Sequence, residues 1–303
     1  MAIHSDPTAE PGAIRRVSFY FSAHQDDWQL FMNPSAFRDV LDGKTKCVFI
    51  HMTAGDAGLG TGNGGRKHPL YLARENGAES AIRFMANPDY LPPVEKVVSR
   101  MEFNGHPIQR ISYRNTATYF LRVPDGSPAG TGYADTGYQS LNRLADGQID
   151  MLSAIDGTTS YHGWKDLAAT LRTLIDFERA DAPSVQLNVP EPDPSINPND
   201  HADHIMTAKA ALDAAQDLTC ARRLYYLGYA SAQRPENLSG QDRDMKCAVC
   251  AVTLAGVLAL DHPAAWQHYD QNFVGRDYFR VAEDSGPCVG SSQNPVKAAR
   301  VSR

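Results

Sequence analysis

The chain has 303 residues, with 35 Asp and Glu against 29 Lys and Arg and a formal charge of −6. This acidic balance excludes the basic footprint of a nucleic-acid binder. The longest apolar run, the thirteen residues from Ala248 to Leu260, is too short for a bilayer span and reads as a core helix. Five cysteines, an odd number in a long chain, do not make a disulfide framework. The polar first fifteen residues lack the apolar centre of a signal peptide, so the expected location is the cytoplasm.

Strand and helix signals alternate along the chain. Residues 1–15 read as a flexible tail. Arg16 to Ser22 is β-branched and aromatic and reads as a buried strand. Asn33-Pro34 supplies a cap and a first-turn proline for a helix to about Asp42. Lys46 to Thr53 is a second strand, Leu70 to Met85 a helix, and Ala117 to Val123 a strand. The stretch 124–138, rich in Gly, Pro and Asp, is a long loop of the kind that often forms a lid. Trp164 to Arg179 is a helix with Leu167, Leu171, Leu174 and Ile175 facing inward. Val185 to Val189 and Arg223 to Tyr229 are strands, and 236–303 reads as a helical extension. This order implies one α/β domain with a Rossmann-like, mostly parallel sheet and helices on both faces.

Two short strings carry the chemistry. Ala23-His24-Gln25-Asp26-Asp27 follows the first strand at its carboxyl end, where ligand sites of open α/β sheets lie. Asp200-His201-Ala202-Asp203-His204 opens a helix after a segment kept extended by Pro190, Pro192, Pro194 and Pro198. Asn199 or Asp200 can cap that helix, and Ile205, Ala208, Leu212 and Ala215 set its inward face. His201 and His204, three apart, share one side of its first turn. Together the strings offer three ligands for a catalytic zinc, with acid–base groups beside them.

The strand followed by Ala-His-x-Asp-Asp, with a later His-x-x-His helix, resembles the LmbE-like, or PIG-L, family of metal-dependent de-N-acetylases. The motifs are a small part of the chain, but the strand–helix order from about Arg16 to Tyr229 also fits. The resemblance implies that His24, Asp27 and His204 hold the metal, zinc or another divalent ion such as Fe2+. It implies that Asp26 is the general base, that His201 in protonated form stabilises the oxyanion, and that Asp203 orients His201. Family members usually read Ala-His-Pro-Asp-Asp-Glu; here Gln25 and Trp28 replace the proline and the final glutamate. Trp28 is then either core or an apolar wall against a sugar ring. Asp56 is either a turn residue or a contact to substrate hydroxyls. Arg74 is either a substrate contact or a surface ion-pair partner, since the family's Arg-x-x-Glu spacing is not kept.

The implied activity is removal of an N-acetyl group from an N-acetylglucosamine-type aminosugar or its conjugate, a small-molecule substrate. Two alternatives stay open: an amidase acting on a thiol conjugate with the same metal site, and a catalytically idle sugar-binding protein. Gly60 to Gly65 matches G-x-G-x-x-G, but six residues separate it from the strand end near Thr53 and His68-Pro69 delays the next helix. It therefore reads as a glycine-rich loop and not as a dinucleotide fingerprint. Cys247 and Cys250 read as buried thiols, because a zinc ribbon needs a second pair.

Overall fold

The computed structural model of the protein describes residues 14–218 and 221–283. Up to residue 13 the expected N-terminal tail lies outside the described residues, as do 284–303 of the C-terminal extension. The strands are β1 (Arg16–Ser22), β2 (Thr45–Thr53), β3 (Val97–Phe103), β4 (His106–Tyr113), β5 (Thr116–Val123), β6 (Met151–Ser153), β7 (Ser160–His162), β8 (Val185–Pro190), β9 (Ala221–Tyr226) and β10 (Phe279–Glu283). The helices are α1 (Asp27–Phe31), α2 (Ser35–Leu41), α3 (Leu70–Ala86), α4 (Leu141–Ala145), α5 (Trp164–Arg179), α6 (Ala202–Ala214), α7 (Gly240–Ala259) and α8 (Trp266–Tyr269). A π-helical turn, Asp270–Val274, continues α8.

One sheet of eight strands runs in the order β10-β9-β8-β1-β2-β5-β4-β3, and β6 and β7 form a separate hairpin. The five middle strands are parallel. Antiparallel strands close both flanks, β10 on β9 and the β3–β4 hairpin on β5. The α/β class with a large, mostly parallel sheet is therefore as expected. The three antiparallel strands were not anticipated. β3 carries charge at Arg100 and Glu102 and is largely exposed, so it lacks the apolar alternation that marks a half-buried strand.

Side-chain alternation along β1 divides the interior in two. Val17, Phe19 and Phe21 point to one face, where Leu167, Leu171 and Leu174 of α5 and Ala208 and Ala211 of α6 cover them. Tyr20 points to the other, into a core shared with Phe49, Ala78 and Ile82 of α3, and Val249 of α7. A strand buried on both faces is what a helix-covered parallel sheet requires. Among the described residues no helix is long and apolar enough to cross a membrane.

Trp28 belongs to that second core. It is fully buried, with its ring 4.7 Å from the Phe49 ring. Of its two readings the core one holds, since a wall against a sugar would have no open surface to face. Trp28→Ala should therefore destabilise the fold by about 3–5 kcal/mol, measured by denaturant unfolding. A stability change below about 1 kcal/mol, with substrate affinity lost instead, would return Trp28 to a cleft wall.

Candidate metal centre

The parallel pairing of β1 with β2 brings their carboxyl ends level, Ser22 opposite His51. The turn after β1 is then tied across to β2. Thr53 donates its N–H and its hydroxyl to Ala23 O, at 2.9 and 2.8 Å, and Gln25 Nε2 donates to Thr53 O at 3.0 Å. Inside the turn the His24 N–H donates to Asp27 Oδ2 at 2.7 Å. That bond fixes the carboxylate and leaves Oδ1 facing inward.

The second string arrives on the next parallel strand. β8 lies beside β1, and the segment after it leads to α6. The helix cap is neither Asn199 nor Asp200. His201 holds that position, with extended backbone (φ −64°, ψ 136°), and its Nδ1 accepts the Asp203 N–H at 3.1 Å. The imidazole nitrogen takes the place of the usual cap oxygen. His204 sits in the first turn, and its Nδ1 donates to Asp200 Oδ1 at 2.9 Å. A carboxylate behind one nitrogen fixes the tautomer and turns the other nitrogen's lone pair toward a metal. Asp200 is held in turn by the Tyr229 N–H and by Asn197 Nδ2.

The expected triad comes together. His204 Nε2 lies 3.2 Å from Asp27 Oδ1 and 3.3 Å from His24 Nδ1, and His24 Nδ1 lies 3.5 Å from Asp27 Oδ1. All three residues are buried. A tetrahedral ion with bonds of about 2.0–2.2 Å keeps its donors about 3.3–3.6 Å apart. The spacing and the His2Asp donor set therefore both suit a divalent ion such as zinc. Burial alone would lower the His24 pKa, but the Asp27 and Asp203 carboxylates outweigh it and carry the group up to about 10. His204 is likewise raised, by Asp27 and Asp200 against burial. Asp27 is held well below the usual carboxylate range, because the two histidines outweigh its burial.

A second group adjoins the first: His24, Asp125, His201 and Asp203, also buried. His24 Nε2 lies 3.6 Å from Asp203 Oδ2 and 3.8 Å from Asp125 Oδ2, and His201 Nε2 lies 3.9 Å from Asp125 Oδ1. The carboxylate of Asp203 was expected to orient His201 directly. It lies 3.7 Å from His201 Nδ1, which is already occupied by the Asp203 backbone N–H. Asp203 Oδ2 instead accepts the Gly126 N–H at 2.8 Å. A Cβ at position 126 would stand 2.4 Å from Asp203 Oδ1, so only glycine allows this approach. With Nδ1 an acceptor, the His201 ring proton is on Nε2, facing Asp125. Burial, aided by the charge on His24, presses the His201 pKa down to about 4. With Nδ1 accepting, the ring in this arrangement is a neutral N–H donor.

Asp26 belongs to neither group. Its Oδ1 pairs with Arg74 and its Oδ2 accepts the Tyr269 hydroxyl. Arg74 also donates to Gly55 O at 3.2 Å. Burial would raise the Asp26 pKa, and the Arg74 charge outweighs it and lowers it. Arg74, expected at the substrate, is thus committed to seating Asp26. Asp56 also differs from a substrate contact. It is fully buried and spends both oxygens on backbone, on the Asp125 N–H at 2.9 Å and the Gly60 N–H at 2.8 Å.

Sequence reasoning missed three participants. Asp125 carried a usable signal, since it stands two residues past the carboxyl end of a parallel strand. Asp200 carried another in its four-residue spacing from His204 on a helix start. Tyr269, 243 residues from Asp26, carried none. No protein-family model and no curated protein matches this chain, so donor chemistry and geometry decide what the centre can do.

Supplied with zinc, the folded protein should bind about one ion per chain, and His24→Ala should lose it, read by elemental analysis. His24 and His204 have raised pKa values, so protons compete with the ion for their nitrogens. Occupancy should therefore rise with pH and fall as pH falls, with proton release on binding. Calorimetry in buffers of different ionisation enthalpy counts the protons; metal-free wild type or proton-silent binding would remove the triad.

Proposed function

We propose that the protein is a metal-dependent de-N-acetylase that cleaves the amide of an N-acetylated aminosugar or sugar conjugate, releasing acetate and the free amine. The observation that carries this reading is the spacing of His24, Asp27 and His204, joined to an imidazole N–H and a carboxylate on adjoining residues. The resemblance of the two strings to the LmbE-like family supplies the substrate class. The two-histidine, one-carboxylate donor set suits zinc and also another divalent ion such as Fe2+.

When bound, the ion polarises the amide carbonyl and lowers the pKa of a water molecule toward about 7. The protein's own groups do the rest. Asp200 keeps His204 in the ligating tautomer. Asp26 accepts the proton of the attacking water; a carboxylate oxygen has two acceptor sites, so each oxygen keeps one after meeting Arg74 or Tyr269. His201 Nε2–H donates to the oxygen on which negative charge develops. A neutral imidazole suits this role, as it gains a partner without a buried charge of its own. The proton on Asp26 then passes to the leaving amine. Arg74 and Tyr269 are positioning residues for Asp26.

The direct test is a screen for acetate released from N-acetylated sugars by metal-loaded protein. Asp26→Asn should keep the metal and lose about 100- to 10,000-fold in turnover. His201→Ala should lose about 100- to 1,000-fold with metal content unchanged, while His204→Ala should lose both. If His201→Ala strips the metal and His204→Ala retains it, ligand and donor are interchanged. Tyr269→Phe should lower kcat by about 10- to 100-fold through a misplaced base, with metal content again unchanged. Full turnover in that variant means that Asp26 needs no seat.

A further inference from the structure

Helices α3 and α7 pack closely at Gly77 and Gly256. A Cβ on Gly77 would stand 2.7 Å from Thr253 O, and Asn76 Nδ2 donates to Gly256 O at 2.8 Å. Toward the N-terminal end of α3, a cavity of about 150 Å3 remains between the two helices and the segment that follows α7. Leu70, Leu254, Val257, Pro263 and Ala265 form its apolar walls, and Asp26 stands at its polar end.

The polar groups of the lining pair chiefly within the protein. Asp26 has Arg74 on one oxygen and Tyr269 on the other, and Arg74 also has Gly55 O. Thr253 Oγ1 donates to Val249 O at 2.9 Å, and Gln25 Nε2 donates to Thr53 O at 3.0 Å. Gln25 Oε1, without a partner, is itself out of reach of solvent. Asp26 and Arg74 cancel each other's charge, so a charged ligand finds nothing to pair with. What remains for an occupant is contact with the apolar side of the lining, at a volume close to that of a benzene ring.

The geometry points to a substrate subsite: the cavity between α3 and α7 receives a neutral apolar group, alkyl or aryl and about six carbons in size, carried by the amide that the centre cleaves. This rests on the hydrolase reading above. Asp26 is the link: it lines the cavity, and on that reading it takes the proton of the water that attacks the amide. The apolar group can belong to the acyl side of the amide or to the aglycone of the sugar; the same contacts serve either.

The test has a binding arm and a kinetic arm, both on the full chain. In the first, 4-fluorotoluene is titrated and followed by 19F NMR; saturable binding is expected, lost in Ala265→Phe, which fills the cavity from its rim. Leu70→Phe repeats the experiment from the opposite wall should the first variant fail to fold. In the second arm kcat/KM is measured for N-acetyl-, N-butanoyl- and N-hexanoylglucosamine, and for methyl, hexyl and phenyl N-acetylglucosaminides. One series should gain about fourfold per added methylene, which identifies the end that enters, and Ala265→Phe should remove the gain. Hydrolysis without a gain in either series, or no saturable probe binding, overturns the subsite and leaves the hydrolase standing. Saturable probe binding with no hydrolysis of any member keeps the cavity as an apolar ligand site and overturns the hydrolase reading.

Discussion

The placement of β1 sets the position of every group at the centre. It runs parallel to β2 on one side and to β8 on the other. The chain segments that leave β1 and β8 at their carboxyl ends must therefore emerge side by side. His24 and His204, 180 residues apart in sequence, meet for that reason. β5 lies on the far side of β2 and delivers Asp125 to the same end. Shifting the β1–β8 register by one residue would turn Phe19 and Leu187 out of their core, so the sheet cannot slip without losing the packing that holds it. The rigidity of the centre is thus the rigidity of two hydrophobic cores seen from their edge.

Electrostatics supplies the second constraint. Asp27, Asp125, Asp200 and Asp203 are all buried or nearly so at one end of the sheet. Carboxylates stay charged in such surroundings only with hydrogen bonds or positive partners close by. Backbone N–H groups meet part of the need: His24 to Asp27, Gly126 to Asp203, Ser127 to Asp125 and Tyr229 to Asp200. Three histidines meet more of it. A divalent cation is the natural complement of what is left, and the carboxylates are already oriented before it arrives.

The sequence was legible where local signals decide the outcome. The parallel strands and α5 announce themselves by apolar runs and by spacing, and the two histidine strings by residue type. Legibility fails where a side chain's partner is chosen by tertiary approach. Trp28 follows two aspartates and looks available to a ligand, yet the first turn of α1 directs it back onto Phe49. Asp56 sits in a glycine-rich stretch that suggests exposure, yet it braces the loop carrying Asp125. Arg74 was recognisable as important but not as the partner of Asp26, because that contact depends on how α3 lies against the turn after β1. Tyr269 reaches Asp26 from the segment beyond α7, and no pattern within either segment refers to the other.

His201 has two tasks in different currencies. As the N-cap of α6 it must satisfy a backbone N–H, which it does with Nδ1. Asn, Asp or Ser would do this at least as well, since their short side chains are the preferred helix caps. Folding therefore gives no reason for an imidazole at this position. A variant with Asn at residue 201 keeps the cap and removes the ring N–H that faces Asp125. Helix capping alone favours a shorter side chain here, and the ring N–H is what the proposed chemistry would gain from a histidine.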